Sequence, residues 1–181
     1  DAAGNPSARA IVEGANSFIT PEARDELQKR GVVIMRDASA NKCGVISSSY
    51  EILANLMLSD EEFLEHKAEY VADVVSILNQ TVEREASLIL KRHQEAGEAL
   101  SYTELSGHIS REINANYAQF FEYFENNPDL CLQPDYENAL LHSMPQMIRS
   151  SSIYRRRVKD IPEKVRHAIM ASTLASSMVY S

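Results

Sequence analysis

Two short apolar runs constrain this chain more than any other feature. Ala10-Ile11-Val12 and Val32-Val33-Ile34-Met35 are rich in β-branched residues and are suited to buried strands. Between them Thr20-Pro21 opens a helix, since Thr caps free N–H groups and Pro is tolerated at the first helical position. Ala23 and Leu27 stand one helical turn apart, and Gly31 after Lys29 and Arg30 is a helix stop. The second run ends in Asp37-Ala38-Ser39-Ala40-Asn41. A further helix is expected after Gly44, with Ser47, Ser48 and Ser49 near its first turn and Tyr50 to Leu58 as its body. Strand, helix, strand, helix with short connections is the pattern of a parallel α/β sheet. Two parallel strands cannot cover both of their faces alone, so residues 1–58 are expected to be the end of a larger doubly wound domain. The opening Asp1-Ala2-Ala3, without a methionine, adds the expectation of a piece of a longer protein.

Residues 59–181 read as helical almost throughout. Ser59-Asp60-Glu61-Glu62 is a capping box, in which Ser caps the helix and Glu three residues on reaches back. Leu64, Val71, Val74, Val75, Leu78, Val82, Leu88 and Ile89 then recur at helical spacing as far as Gly97. A second box, Ser101 to Glu104, opens a helix that runs to Asn126-Asn127-Pro128. Pro134 and Pro145 punctuate shorter helices, and Ile161-Pro162-Glu163 begins the last. The expected fold class is therefore mainly α with a small α/β portion. The last two parallel strands and helices of a Rossmann-like doubly wound domain, residues 1–58, precede a helical C-terminal region, residues 59–181.

Composition narrows the function classes. Six glycines and six prolines among 181 residues, with 44% apolar content, exclude collagen-like and disordered chains. Two cysteines, Cys43 and Cys131, exclude a disulfide scaffold. No uncharged apolar run approaches the roughly 18 residues of a membrane span. The net charge of −8 opposes nucleic-acid binding, although Arg155-Arg156-Arg157 lies in a basic stretch. That stretch reads better as a solvated face, or as a partner for the acidic residues between Asp60 and Glu104. Neither nucleic acid nor membrane is expected as a partner.

Few residues are placed to do chemistry. His66, His93, His108, His142 and His167 are scattered without metal-ligand spacing, so no metal site is expected. Lys42 beside Cys43 is a neighbour able to favour a thiolate, but a small packed cysteine is the simpler reading, and Cys131 reads as packing. Asn16 and Asn41 fall just beyond the carboxyl ends of the two strands, where open α/β sheets bind ligands. Each amide donates and accepts, as recognition of a carboxamide, a ribose hydroxyl or a peptide group requires. The serines at the following helix start offer hydroxyl donors to a carboxylate. Equally, the asparagines are turn formers and the serines caps. No Gly-x-Gly-x-x-Gly fingerprint is present, so a complete dinucleotide site is not expected within these residues.

Asn5-Pro6-Ser7-Ala8-Arg9, Ile11-Val12-Glu13-Gly14-Ala15-Asn16-Ser17-Phe18-Ile19-Thr20, and Asp37 through Asn41-Lys42-Cys43-Gly44-Val45 to Ser47-Ser48-Ser49-Tyr50-Glu51 resemble the NAD-dependent glutamate dehydrogenases. The likeness is best to the large-subunit class. A weaker one continues from Ile161 to Tyr180. The resemblance implies NAD-linked oxidative deamination of glutamate to 2-oxoglutarate and ammonia. It implies that Asn16 and Asn41 are cofactor-binding residues at the nicotinamide end, and that Ser48, flanked by Ser47 and Ser49, contacts the substrate side-chain carboxylate. The small hexameric members carry Ala-Gly-Gly where this chain has Lys42-Cys43-Gly44. The family's catalytic lysine and aspartate and its Gly-rich phosphate loop lie in earlier parts of such enzymes. No catalytic residue is therefore expected in this chain, which alone is expected to be inactive. The implied partners are glutamate, the rest of the parent chain and further copies in a homo-oligomer, in the cytoplasm. The rival expectation is a non-enzymatic helical module for assembly or regulation, drawn from residues 59–181.

Overall fold

The computed structural model describes residues 4–97 and 99–181; Asp1-Ala2-Ala3 lie outside the described residues. The chain is mainly helical, with one two-stranded parallel sheet. It divides into two compact units. One holds the residues up to Gly44 together with Thr81–Arg111, and the other holds Val45–Gln80 and Glu112–Ser181. This division differs from one at residue 58. Helices α3 (Cys43–Met57), α4 (Asp60–Glu95) and α5 (Tyr102–Asn126) each contribute residues to both units.

In the first unit, β1 (Ala10–Val12) pairs in parallel with β2 (Val33–Met35), Ile11 opposite Ile34 and Val12 opposite Met35. Strand side chains alternate between faces, so Ile11 and Ile34 share one face. Ile34 on that face is 1% exposed, whereas Val12 and Val33 on the other are 70% and 47% exposed. The expectation of buried strands thus holds fully for Ile34, with Ile11 half-buried on the same face, because burial of a parallel sheet needs layers on both sides.

Helix α1 (Pro21–Lys29) forms for local reasons. Thr20 Oγ1 accepts from the Ala23 N–H at 3.2 Å, and Pro21 occupies the first position. Its exit is a Schellman turn: the Gly31 N–H reaches Gln28 O at 2.9 Å and the Val32 N–H reaches Leu27 O at 3.1 Å. Gly31 has φ +81°, the left-handed conformation this turn requires. Beyond β2, where the second apolar run ends, the chain makes a one-turn helix, α2 (Asp37–Ala40), closed by Ala40 N–H to Arg36 O at 3.0 Å.

Helix α3 begins at Cys43, before Gly44 rather than after it. The serine triplet consequently lies in the second turn, past the four residues whose N–H groups lack intrahelical partners. Helix α4 runs 36 residues, about 54 Å at roughly 1.5 Å per residue, and stops two residues before Gly97 at φ +57°. The second capping box forms as the spacing predicts. Ser101 N–H donates to Glu104 Oε2 at 2.8 Å, and Glu104 N–H returns to Ser101 Oγ at 3.2 Å. In the first unit Thr103 Oγ1 then donates to Ile34 O at 3.2 Å, and Ile89, Leu105 and Ile109 are buried.

The second unit holds the larger apolar cluster. Leu53, Met57, Tyr70, Phe124, Leu140, Ile148, Val158 and Met170 are buried within it. They come from α3 to α5, from α6 (Pro134–His142), α7 (Gln146–Ser150) and α9 (Glu163–Tyr180), and from the turn after α8 (Ser152–Arg157). Truncating a buried leucine such as Leu140 to Ala costs about 2–5 kcal/mol. Several polar groups among these helices find partners. Tyr70 Oη donates to Tyr50 O at 2.6 Å, Tyr50 Oη to Ser143 O at 3.3 Å, and the Met147 N–H to Asp73 Oδ2 at 2.7 Å.

The first capping box does double duty. Ser59 N–H donates to Glu62 Oε2 at 2.9 Å, while Arg157 meets the same carboxylate from both of its terminal nitrogens at 2.6 and 2.7 Å. Arg157 also donates to Met57 O at 2.9 Å and lies over the Tyr154 ring. One member of the basic run therefore partners an acidic residue of the same chain. No helix among the described residues is long and apolar enough to cross a membrane.

Candidate functional site

The loop after β1 is anchored by a buried charge. Glu13 continues the ladder through its N–H to Met35 O at 2.9 Å, which turns its side chain toward α1. There Arg24 grips it, Nε to Oε1 at 2.7 Å and a terminal nitrogen to Oε2 at 2.8 Å. The same guanidinium ties down Ile19 O at 3.0 Å. Glu13 and Arg24 are 4% and 8% exposed, so the pair relies on this two-point geometry to offset its lost hydration. The hydrogen bond from Arg24 holds the Glu13 carboxyl below its ordinary range against the opposing effect of burial.

A second carboxylate joins the loops that follow the two strands. Asp37 Oδ2 accepts from the Ser17 N–H at 2.9 Å, and Oδ1 from the Ala38 N–H at 2.8 Å. The Ser17 bond is the largest cause of an Asp37 carboxyl held below its usual range. Ser17 has φ 52°, a left-handed conformation uncommon outside glycine. With that turn fixed, the amide of Asn41 donates from Nδ2 to Asn16 Oδ1. Asn41 caps α2 and is half-buried, while Asn16 is exposed. Joined amides at the carboxyl ends of adjacent parallel strands present further donors and acceptors suited to a carboxamide.

Lys42 forms an ion pair with Glu85 of α4, so its ammonium has a carboxylate partner besides any influence on Cys43. Ser48 belongs to the other unit and is exposed on α3. Ser49 Oγ turns back to Val45 O at 3.5 Å. Ser47 instead lines a cavity of about 440 Å³ with Tyr50, Glu51, Ala54, Asn55, Phe63, Tyr70, Val71, Val74, Val75 and Leu78. Its mostly apolar wall and the Glu51 carboxylate do not favour an anion.

The structure thus brings Asn16 and Asn41 together, and places Ser48 in the second unit. Sequence reading had not picked out Glu13, Arg24 or Asp37 as the supports of these loops. Their only local signal is a charge near the end of an apolar run, Glu13 next to Val12 and Asp37 two places after Met35, or within α1. Among the described residues, no group of three His, Cys, Asp or Glu is arranged to hold a metal ion.

Comparison with known proteins adds a family. The chain is 36% identical over 189 residues to the probable NAD-specific glutamate dehydrogenase of Schizosaccharomyces pombe, covering 98% of this chain and 16% of that protein. It is 33% identical over 188 residues to the NAD-specific glutamate dehydrogenase of Saccharomyces cerevisiae, covering 94% of this chain and 16% of that protein. A shorter match, 45% over 49 residues, relates 27% of the chain to 12% of the glutamate dehydrogenase of Thermotoga maritima. The chain therefore spans about a sixth of the length of the long relatives it matches. No solved structure gives a significant match. Residues 2–102, more than half of the 181, match the Glutamate/Leucine/Phenylalanine/Valine dehydrogenase family, and the chain belongs to that family.

Proposed function

We propose that this chain is part of an NAD-dependent glutamate dehydrogenase and that it supplies the nicotinamide-side and substrate-carboxylate contacts. The observation that carries the reading is the Asn16–Asn41 amide pair on the two loops beyond β1 and β2. The names of the long relatives, NAD-specific glutamate dehydrogenases, point to the same chemistry. Asn16 and Asn41 would hold the carboxamide end of NAD, and bound NAD supplies the hydride acceptor for oxidation at the substrate's α-carbon. Asp37, Glu13 and Arg24 keep the two loops in register so that the amides stay paired. Ser48 donates to the side-chain carboxylate of glutamate.

Residues 1–58 would complete a Rossmann-like domain begun by other residues of the parent. The apolar, exposed Val12 and Val33 fit a sheet face that further layers cover. The reading places the parent enzyme in the cytoplasm as a homo-oligomer. Catalytic groups and the pyrophosphate site would come from the rest of that parent, so the isolated chain turns over no glutamate. An assay of the full-length enzyme tests the reading. Asn41→Ala and Asn16→Ala should each raise the KM for NAD about tenfold, the worth of one good hydrogen bond, and leave the KM for glutamate near wild type. Unchanged kinetics in both variants overturn it.

A second role, assembly, is favoured for residues 59–181. Leu64, Val71 and Val75 are 69%, 46% and 47% exposed and lie along one line of α4 in the second unit. Such a line suits packing against the rest of the parent or a neighbouring subunit. Light scattering on full-length protein carrying Val71→Glu and Val75→Glu should show a smaller particle; an unchanged one rejects the role.

A further inference from the structure

Cys131, expected to be a packing residue, is the end of a hydrogen-bonded line that the proposed dehydrogenase chemistry does not use. Its Sγ lies 2.8 Å from His167 Nε2, and His167 Nδ1 lies 3.0 Å from Glu125 Oε1. All three residues belong to the second unit. A carboxylate only accepts, so Nδ1 carries the proton that faces Glu125, and neutral Nε2 is left to accept from the thiol. His167 is 0% exposed, stacked on Phe124 at 5.7 Å and edge-on to Tyr136 at 6.2 Å, so its ring is fixed in this orientation. Tyr136 adds a second feature. It is 7% exposed, and its buried hydroxyl makes no well-formed hydrogen bond. After burial itself, Cys131 is the strongest influence raising that hydroxyl above the usual phenol range. A thiolate at Sγ would give the hydroxyl a stronger acceptor than the thiol does. Cys131 itself is half-buried, in the short 3-10 helix Pro128–Leu132, beside a leucine that is 80% exposed.

From this geometry we infer that Cys131 is a thiol–disulfide exchange site, with His167 as its proton acceptor and Glu125 as the residue that orients His167. The co-reactant is a small soluble disulfide. Cys131 passes its proton to Nε2, and the thiolate attacks one sulfur of the disulfide. The new Sγ–S bond forms as the old S–S bond breaks, and the departing thiolate takes the proton back from the imidazolium. One disulfide and one thiol yield one mixed disulfide and one thiol, with no net transfer of electrons from outside. Cys43 lacks such a line: its neighbour Lys42 is paired with Glu85. The added group would sit against His167, Phe124 and Tyr136, at the edge of the second unit's apolar cluster.

The test uses the full-length protein, reduced and then exposed to limiting oxidised glutathione, with the Cys131 and Cys43 peptides followed by mass spectrometry. Cys131 should form its mixed disulfide at least about tenfold faster than Cys43. Glu125→Gln should slow Cys131 severalfold and His167→Asn should reduce it to the Cys43 rate, with circular dichroism confirming that both variants are folded. Should a variant fail to fold, the wild-type ratio of the two cysteines decides. Equal rates for Cys131 and Cys43, or undiminished Cys131 reactivity in folded His167→Asn protein, would overturn the inference.

Discussion

Glu13 and Arg24 meet through two parallel hydrogen bonds of 2.7 and 2.8 Å, with their side chains 1% and 9% exposed. Removing one partner strands a charge without water. Arg24→Leu is expected to destabilise the loop after β1 by about 3–5 kcal/mol, and Glu13→Gln with Arg24→Met together by much less. Hydrogen exchange of the β1 and β2 amides in the full-length protein measures the difference. The Glu13 carboxyl is lowered in the folded chain, so its contribution is fully present above the ordinary carboxylate value of 4.5 and is lost as pH falls below it. The Arg24→Leu variant should show a flatter loss over that window.

The turn at Gly31 fails for a different reason. A Cβ there would meet no atom within 4 Å, so a substitution is opposed by backbone conformation alone. Gly31→Ala should cost about 1 kcal/mol, and Gly31→Asn less, because Asn tolerates the left-handed region. Equilibrium unfolding that shows no difference between Gly31→Ala and wild type would contradict the Schellman exit.

The local part of this fold was legible in advance. Thr20-Pro21, the two capping boxes and Ile161-Pro162-Glu163 act within four residues, and each begins a helix where the spacing predicted. Asp37 is ambiguous in sequence because aspartate favours turns and helix starts alike; here its carboxylate satisfies the N–H groups of Ser17 and Ala38 at the start of the one-turn α2. The pairing of Glu13 with Arg24, or of Cys131 with His167 across 36 residues, has no periodic signature. The two units were hidden because membership is decided by tertiary contact, and three long helices serve both. The strand-end rule puts Asn16 and Asn41 each just beyond a strand, but the hydrogen bond between them is a tertiary contact with no signal in the spacing.

Ser48 offers a cleaner kinetic separation than the asparagines. In the full-length enzyme Ser48→Ala should raise the KM for glutamate about tenfold and leave the KM for NAD unchanged. Ser49→Ala should do neither. A larger effect from Ser47→Ala than from Ser48→Ala would move the contact by one residue.

Acid should act on Glu62 in a defined range. Arg157 first, and then the Ser59 N–H, hold its carboxyl down to about 2. The folded value lies below the ordinary one of 4.5, so what the pair contributes is intact above that pH and disappears as pH falls toward about 2. Limited proteolysis near α8 across this range should show an acid-triggered opening in the wild type. In Glu62→Gln the same opening should be present already at neutral pH.

The Glu62–Arg157 pair also has a place in time. Its members are separated by 95 residues, whereas the Tyr70–Tyr50 hydrogen bond joins residues only 20 apart. Contacts closed over short loops form early, and those closed over long loops wait for the intervening chain. As a ribosome extends this protein, α3 and α4 can meet soon after both have emerged. Glu62 then spends the synthesis of α5, α6 and α7 as a plain helix cap, and gains its counter-charge only when α8 arrives.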